Sequence, residues 1–249
     1  MTDRSGVVIR NTAILIAVLL ACWQTLYWLI GDIALRSPAE TGAYTISLLS
    51  GDMLWPHARE SLMAFAFALC IAVFSGLAIG FTLGYARRAG EVFEPVLTAL
   101  YSIPKITLYP ILLLIFGLGM PAKVAFGAIH GVIPIALFTL SGVRNVRPVL
   151  IKAGRVLKLG QLEMVRTILF PAALPEIFTG LRIGFSLTLI GTLLGEMFAS
   201  QRGIGFLMMN AIGLHNIDLI MSLTLLIIVA SATVSSVLLF YDRKLRERL

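Results

Sequence analysis

The sequence predicts an all-α integral membrane protein with six membrane-spanning helices. Its composition is the first reason: of 249 residues, 58% are hydrophobic and only 13% are charged, and the mean hydropathy is +0.93. A soluble domain needs more polar surface than this. The composition therefore excludes a soluble enzyme, a disordered chain and a disulfide-rich secreted scaffold. The other two reasons are the spacing of long uncharged runs and the distribution of basic residues.

Long uncharged runs mark the membrane spans, because crossing a bilayer core takes roughly 20 helical residues. Five runs support a span directly, whereas a sixth, Ile183–Gly195, needs a helix that starts near Leu174 and includes Arg182. The sequence therefore predicts a single transmembrane domain, 1–249. Its spans are expected at about 11–31, 61–86, 96–119, 124–143, 174–197 and 219–241.

The basic residues predict the orientation of these spans. With the N-terminus inside, the cytoplasmic segments hold 14 basic residues and the outer segments hold four, so both termini are expected in the cytoplasm. The inner set is Arg4, Arg10, Arg87, Arg88, Arg144, Arg147, Lys152, Arg155, Lys158, Arg166, Arg243, Lys244, Arg246 and Arg248, and the outer set is Arg36, Arg59, Lys123 and Arg202. The net charge of +7 therefore indicates membrane topology instead of nucleic-acid binding.

The first span has an alternative interpretation as a cleaved signal peptide. Leu20-Ala21-Cys22 resembles a lipoprotein cleavage box, preceded by the basic residues Arg4 and Arg10. The apolar run continues to Ile30, however, which is longer than a signal core needs. A retained anchor is therefore favoured.

Glycine and proline positions predict how the spans pack and bend. Gly76, Gly80 and Gly84 form a ridge at four-residue spacing, which lets helix backbones approach closely in a bilayer. Pro104 and Pro110 predict a bent start to the third span, because a membrane helix tolerates proline where neighbours or a cavity satisfy the freed carbonyls. That bend is compatible with a protein-lined kink and with a role in a solute path.

Motifs for ATP hydrolysis and metal catalysis are missing from the sequence. A phosphate-binding loop needs a Gly-rich segment followed by Lys and Ser or Thr, but the five lysines are followed by Ile, Val, Ala, Leu and Leu. No Cys/His cluster has metal-ligand spacing, and both cysteines lie inside predicted spans. The chain is therefore expected to be a non-enzymatic transport path that binds no cofactor or metal.

The longest predicted cytoplasmic connection is the loop 144–171. It carries six basic residues and one acidic residue, and its apolar residues recur at helical spacing. Pro148 suits the first turn of a helix, Lys158-Leu159-Gly160 suits a stop and turn, and a second short helix is expected over about 161–169, before Pro171. An amphipathic hairpin of this kind suits docking to a partner protein. An interfacial helix on anionic lipid is the alternative.

Motifs in this loop and elsewhere resemble a known family. Lys152-Ala153-Gly154 followed by Ile168-Leu169-Phe170-Pro171 resembles the coupling loop of binding-protein-dependent ABC importer permeases. The remaining motifs resemble the nitrate, sulfonate and taurine branch; they are Ile103–Pro110 with Phe116–Gly119, Pro171–Pro175 with Gly180–Arg182, Gly195-Glu196, and Arg202–Gly205. Together they cover roughly Arg59 to Gly205 in family order.

This resemblance implies a type I ABC importer permease fold with a cytoplasmic coupling-helix hairpin, in the bacterial inner membrane. It implies a second permease copy in a homodimer, two ATP-binding subunits that use ATP and Mg²⁺, and a periplasmic or lipid-anchored solute-binding protein. The coupling helix would lie at about 161–168. The residues that the resemblance assigns to ATPase coupling are Lys152, Ala153, Gly154, Gly160, Gln161, Leu162, Val165 and Pro171.

The loop departs from the family pattern at three positions. The family's glutamate is Lys152 here, its second alanine is Gly154 and its glycine is Lys158, so Gly160 is expected to supply the turn instead. The altered charge predicts an ATPase matched to this chain, for which the ATPase of another importer is a poor substitute.

Charges inside the membrane are the candidates for a translocation path, because they are unfavourable in lipid and usually face a cavity or a partner. The set is Lys105, His130, Arg182 and Glu196. Lys105 and Arg182 suit a small anion such as a sulfonate, nitrate or carboxylate, although Arg182 could instead pair with Glu176 or snorkel. Pyrimidine precursors and aromatic acids stay open as solutes. An ion-coupled secondary transporter or channel is the alternative function, but no internal repeat indicates one.

Overall fold

The structure, a computed structural model, describes residues 2–246 without the side chains of 2–6, 8, 9, 199, 243, 245 and 246. Arg4, Arg243, Arg246 and Arg248, which entered the charge count, therefore lie outside the described side chains. All regular structure in 2–246 is helical, which confirms the predicted all-α fold.

Eleven helices follow one another in the described chain. They are α1 (Thr2–Ile30), α2 (Pro38–Ser50), α3 (Leu54–Tyr85), α4 (Arg87–Ser102), α5 (Tyr109–Phe116), α6 (Met120–Arg144), α7 (Pro148–Val156), α8 (Gln161–Met164), α9 (Phe170–Ala199), α10 (Ile204–Gly213) and α11 (Ile217–Arg246). A 3₁₀ turn at Lys105–Leu108 precedes α5, and a wide π-helical turn at Val165–Leu169 joins α8 to α9.

Five helical segments within 2–246 are long and apolar enough to cross a bilayer. They are Arg10–Ile30, Leu54–Tyr85, Met120–Arg144, Gln161–Phe198 and Ile217–Asp242. A sixth span exists if α4 and the segment Lys105–Phe116 count as one, since they meet at an angle of 88°. The bend expected near Pro104 is thus present. The bend falls inside the predicted third span, 96–119, and divides it into two helical segments.

The chain forms two compact units. Among the described residues, the first comprises 2–56 and 207–230, and the second comprises 57–206 and 231–246. Within the first unit, Ser37 and the carboxylate of Glu40 form a capping box that begins α2. The guanidinium of Arg36 donates to Asp218 at 2.7 Å, which ties the segment before α2 to the start of α11.

The core of the second unit is built around α6. Glycines of α3 pack against one side of α6, and glycines of α9 pack against another. Cβ atoms added to the glycine ridge of α3 (Gly76, Gly80, Gly84) would lie 2.7, 2.5 and 2.8 Å from side-chain atoms of Ile135, Thr139 and Val143 in α6. On the α9 side, a Cβ at Gly184 would lie 2.5 Å from Ile135. Such contacts are too short for a real side chain, so glycine is what lets these helices pack so closely.

Candidate functional site

The loop after α6 forms a helical hairpin over 148–169. Pro148 occupies the first turn of α7, as expected. The C-terminus of α7 is closed by backbone hydrogen bonds from Lys158 N–H to Arg155 O and from Leu159 N–H to Gly154 O, each at 3.0 Å. The second of these bonds is typical of a Schellman motif, which ends a helix with one residue in the left-handed conformation.

The residue in that left-handed conformation is Lys158, with φ +52°. Gly160 has φ −65° and ψ 165°, values open to any residue, and its N–H donates to the carboxylate of Glu163 at 3.0 Å. The prediction that Gly160 supplies the turn is therefore wrong. The Schellman bonds fix the left-handed residue two positions earlier, at the family's glycine position, where this chain has lysine.

The second arm of the 148–169 hairpin packs against α7 and continues into the membrane helix. A Cβ at Gly154 would lie 2.7 Å from side-chain atoms of both Ile168 and Met164, so only glycine permits this crossing. The predicted second helix over about 161–169 is present, but it is not separate: it continues into the membrane helix as one segment, Gln161–Phe198. The wide turn closes with a hydrogen bond from Phe170 N–H to Val165 O, and it delivers the chain to Pro171 in the first turn of α9, where proline is tolerated.

The predicted coupling residues divide into an exposed and a packed group. Lys152, Ala153, Gly160, Gln161 and Leu162 are exposed, whereas Gly154 is buried and Val165 and Pro171 are half-buried. Apolar side chains also project from the end of the hairpin: Val156, Leu157 and Leu162 are 81%, 71% and 61% exposed. The hairpin therefore presents an apolar tip among basic residues.

Lys105 lies in the bend between α4 and α5, and its side chain is only 8% exposed. Its ammonium nitrogen donates a hydrogen bond to the Tyr101 carbonyl at 3.0 Å and lies 5.3 Å from the centre of the Tyr101 ring. The ion pairs among the described side chains do not include it. A buried cation at the break of a membrane helix is suited to hold an anion.

His130 and Arg182 are occupied by other contacts. His130 Nδ1 lies 2.8 Å from the Phe126 carbonyl oxygen, which can only accept a hydrogen bond, so Nδ1 carries the proton. Arg182 lies 4.0 Å from the carboxylate of Asp242. Its alternative partner Glu176 does not appear among the described ion pairs.

Glu196 belongs to a buried polar cluster that the sequence did not predict. Its carboxylate is fully buried and accepts hydrogen bonds from the Ser61 hydroxyl at 2.6 Å and from Gly205 N–H at 3.0 Å. The ammonium of Lys123, which is 1% exposed, lies 3.5 Å from Glu196 and 3.0 Å from Glu60. We call these four side chains, Glu60, Ser61, Lys123 and Glu196, the Glu196 cluster.

The Glu196 cluster holds the loop between α9 and α10. Gly203 has φ +124° and packs directly on the Glu196 carboxylate, so a side chain there would be strained and would clash. The Ser61 hydroxyl also accepts from Ile204 N–H at 2.7 Å. These contacts explain the Gly195-Glu196 and Arg202–Gly205 motifs: the Glu196 carboxylate on α9 holds the glycine-containing turn that follows. One feature of the sequence could have predicted the Glu196 cluster. Charged residues of opposite sign occur at the ends of three predicted spans, at Glu60, Lys123 and Glu196.

The four predicted path residues are not bonded to one another, although Lys105 and His130 lie close enough for their charges to interact. No hydrogen bond or ion pair within the described side chains joins any two of Lys105, His130, Arg182 and Glu196. Of the four, Lys105 is the buried charge that forms no ion pair with a carboxylate among the described side chains. Among the residues searched, no group of three or more His, Cys, Asp or Glu side chains could hold a metal ion.

Comparisons with known proteins agree with this architecture. Residues 68–249 match the family described as "Binding-protein-dependent transport system inner membrane component". The taurine transport system permease protein TauC of Escherichia coli is 30% identical over 203 residues, which are 79% of this chain and 74% of TauC. The nitrate import permease protein NrtB of Synechocystis sp. is 32% identical over 240 residues, which are 93% of this chain and 84% of NrtB.

The fold has a counterpart among solved structures. A chain of the MetNI methionine ABC transporter, in an inward-facing conformation, matches with a TM-score of 0.63 and 19% identity over 78% of this chain and 97% of that chain. This similarity confirms the predicted type I ABC importer permease fold. The chain therefore belongs to the inner membrane components of binding-protein-dependent transport systems, and it is an ABC importer permease of the taurine, sulfonate and nitrate type.

Proposed function

We propose that this chain forms the translocation path of an ATP-driven importer for a small anion. A second copy completes the path, two ATPase subunits dock on the 148–169 hairpins, and a solute-binding protein delivers the anion to the opposite face. Neither ATP nor a metal binds to this chain. The observation that carries the proposal is the apolar tip of the hairpin.

The tip supports docking because its large exposed apolar side chains lie before the candidate span Gln161–Phe198 or in its first turn. Leu157 and Leu162 are 71% and 61% exposed, and the basic residues Lys152, Arg155 and Lys158 of the same hairpin are exposed as well. A contiguous apolar patch rimmed by charge is typical of a protein interface. The basic rim favours a partner whose cleft is acidic.

The continuity of the hairpin with α9 supports mechanical coupling. One helical segment runs from Gln161 to Phe198, so a displacement of the tip moves the membrane helix with it. Since α9 packs on α6 through glycine contacts, as at Gly184, the motion would reach the core of the second unit. Closure of the two ATPases would thereby switch a membrane dimer between two discrete packings.

Replacing Leu162 with Asp tests the docking surface. Leu162→Asp places a charge in the apolar tip and is expected to lower co-purification of the ATPase by about tenfold or more, as for a central interface residue. Leu214→Asp is the matched control, because Leu214 is 72% exposed and lies outside the hairpin. ATPase binding that is equal in the two variants would contradict the docking role, and solute uptake that survives inactivation of the ATPase would contradict the ATP-driven import.

The anionic solute class is supported by Lys105 and by some of the relatives, whereas others are named for riboflavin and formylaminopyrimidine. Taurine and nitrate, the solutes in the names of two relatives, both carry an oxyanion group. The Lys105 ammonium is buried at the α4–α5 bend and contacts only Tyr101 in the described hydrogen bonds and ring contacts. An anion in the path would therefore meet a cation that no carboxylate neutralises.

Charge removal at Lys105 tests the solute class. Lys105→Gln is expected to lower ATP-driven uptake into proteoliposomes by about tenfold or more, since a hydrogen bond to a charged group contributes about 1.5–3 kcal/mol. Lys105→Arg keeps the charge and is expected to retain more uptake than Lys105→Gln. ATPase co-purification serves as the folding control and should be unchanged in both. Full uptake by Lys105→Gln, or a neutral aromatic ligand on the cognate binding protein, would overturn the anion assignment.

A further inference from the structure

A cavity of about 840 Å³ lies in the second unit, between the helix ends and the 148–169 hairpin. The end of α3, the first half of α4 and the end of α6 form one side, and α7 with the second arm of the hairpin forms the other. Its volume is in the range of sites for small organic ligands. It contains none of the path candidates Lys105, His130, Arg182 and Glu196.

The lining of this cavity is strongly basic. Four cationic residues, Arg87, Arg144, Lys152 and Arg155, face a single carboxylate, Glu94. Arg144 forms an ion pair with Glu94, so the other three cations are not balanced within the cavity. The cavity therefore carries a surplus of positive charge.

The unbalanced cations are available to a ligand. Arg87 has a contact to Glu91 at 3.4 Å, but its side chain is 87% exposed, and such surface pairs are weak. Lys152 and Arg155 are exposed and do not occur in the described ion pairs. Guanidinium groups bind phosphate oxygens with two parallel hydrogen bonds, so a phosphate group suits this cavity.

The cavity lies at the ends of two membrane-spanning segments. The spanning segments Leu54–Tyr85 and Met120–Arg144 both end at its wall, and Tyr85 lines it. On α4, which also contributes to the wall, Val92 and Phe93 are 66% and 49% exposed. A basic pocket at a span terminus, walled in part by a helix that also exposes apolar side chains, suits an amphipathic anion.

We propose that this cavity binds the phosphate group of an anionic molecule, carried either by a lipid headgroup or by a soluble organic phosphate. Arg87 and Arg155 hold the phosphate from opposite sides, since one belongs to α4 and the other to α7. The ligand thereby links the helix bundle to the hairpin. The cavity shares Lys152 with the predicted coupling residues and lies against the hairpin on which the ATPases are proposed to dock. Probe binding is measured on this chain without the ATPase, so a failure of the phosphate site and a failure of ATPase docking are distinguishable.

Lipid retention and thermal stability test the site with the full chain purified in a neutral detergent. The first probe is phosphatidylglycerol, with phosphatidylcholine as its zwitterionic control, and retention is measured by native mass spectrometry. The second probe is glycerol 3-phosphate, with its effect read as a shift in melting temperature. Selective retention of phosphatidylglycerol identifies a lipid headgroup, and a stabilising shift with glycerol 3-phosphate identifies a soluble ligand.

Two double variants separate the cavity from general surface charge. Arg87→Gln with Arg155→Gln removes two cavity cations and is expected to lower retention of the bound probe by about tenfold or more, since each basic residue near an anionic lipid contributes about 1 kcal/mol. Arg88→Gln with Arg166→Gln removes two exposed cations that do not line the cavity, and binding should persist. Equal loss in both double variants, or binding of neither probe to the unaltered chain, would overturn the proposal; unchanged helical circular dichroism shows that each variant is folded.

Discussion

Lys158 shows how one residue can carry strain in a surface turn. It ends α7 at φ +52°, a conformation that favours glycine because a Cβ crowds the backbone. We expect Lys158→Gly to raise the free energy of unfolding by up to about 1 kcal/mol, measured as a higher melting temperature of the purified chain. The gain is limited because glycine also adds freedom to the unfolded chain.

Gly160 provides the control for this turn. Its φ of −65° is open to alanine, and a Cβ there would meet only the Glu163 carboxylate at 3.7 Å. Gly160→Ala should therefore leave the melting temperature unchanged or raise it slightly. A marked loss of stability in Gly160→Ala, without a gain in Lys158→Gly, would show that Gly160 is the residue on which the turn depends.

Helix packing in the second unit depends on the glycine ridge of α3. A Cβ at Gly80 would lie 2.5 Å from Thr139 and 2.6 Å from the Ala136 carbonyl oxygen, so the helices must separate to admit it. We expect Gly80→Ala to lower the free energy of unfolding by roughly 1–3 kcal/mol, the usual range for overpacking. The measurement is the melting temperature in detergent.

The matched control for Gly80 is Gly42 in α2. A Cβ at Gly42 meets nothing within 4 Å, so Gly42→Ala adds helix propensity without a clash and should raise stability. Equal effects of the two substitutions would mean that close packing does not explain the ridge.

At the scale of elements, periodicity and charge-free runs predict which segments are helical but not where each helix bends or continues. Pro104 and Pro171 look alike in sequence as helix breakers. At Pro104 the chain turns by 88°, whereas at Pro171 it runs on into α9. The difference arises because Pro171 directly follows the wide turn Val165–Leu169, whose shifted hydrogen bond from Phe170 N–H to Val165 O lets the helix continue past a residue that has no N–H.

For the whole molecule, the orientation proposed from the charge bias places the 148–169 hairpin in the cytoplasm and the α9–α10 loop outside. In a chain whose native cysteines are replaced by alanine, Lys158→Cys should react with a membrane-impermeant maleimide only after the cells are permeabilised. Gln201→Cys, which is also exposed, should react in intact cells. The opposite labelling pattern would invert the topology.

The candidate site was predictable from sequence to very different degrees. Pro148 and the hairpin position followed from local rules for helix starts, because capping depends on neighbours in the chain. The Glu196 cluster did not, because Glu60, Lys123 and Glu196 come from three different helices and meet only when α3, α6 and α9 pack. Sequence reasoning assigned Glu196 to the path, whereas its carboxylate is fully buried against the loop that follows α9.

The sequence by itself determined that the chain lies in a membrane as a bundle of helices and which transport family it belongs to. Uncharged runs, glycine spacing and loop motifs are local in sequence, and they keep their meaning without tertiary contacts. Only the tertiary structure decided which charges are satisfied inside the protein and which are not. Burial sets that outcome: Lys123 pairs with Glu60 and Glu196 from two other helices, whereas Lys105 is buried beside Tyr101 without a carboxylate in the described ion pairs.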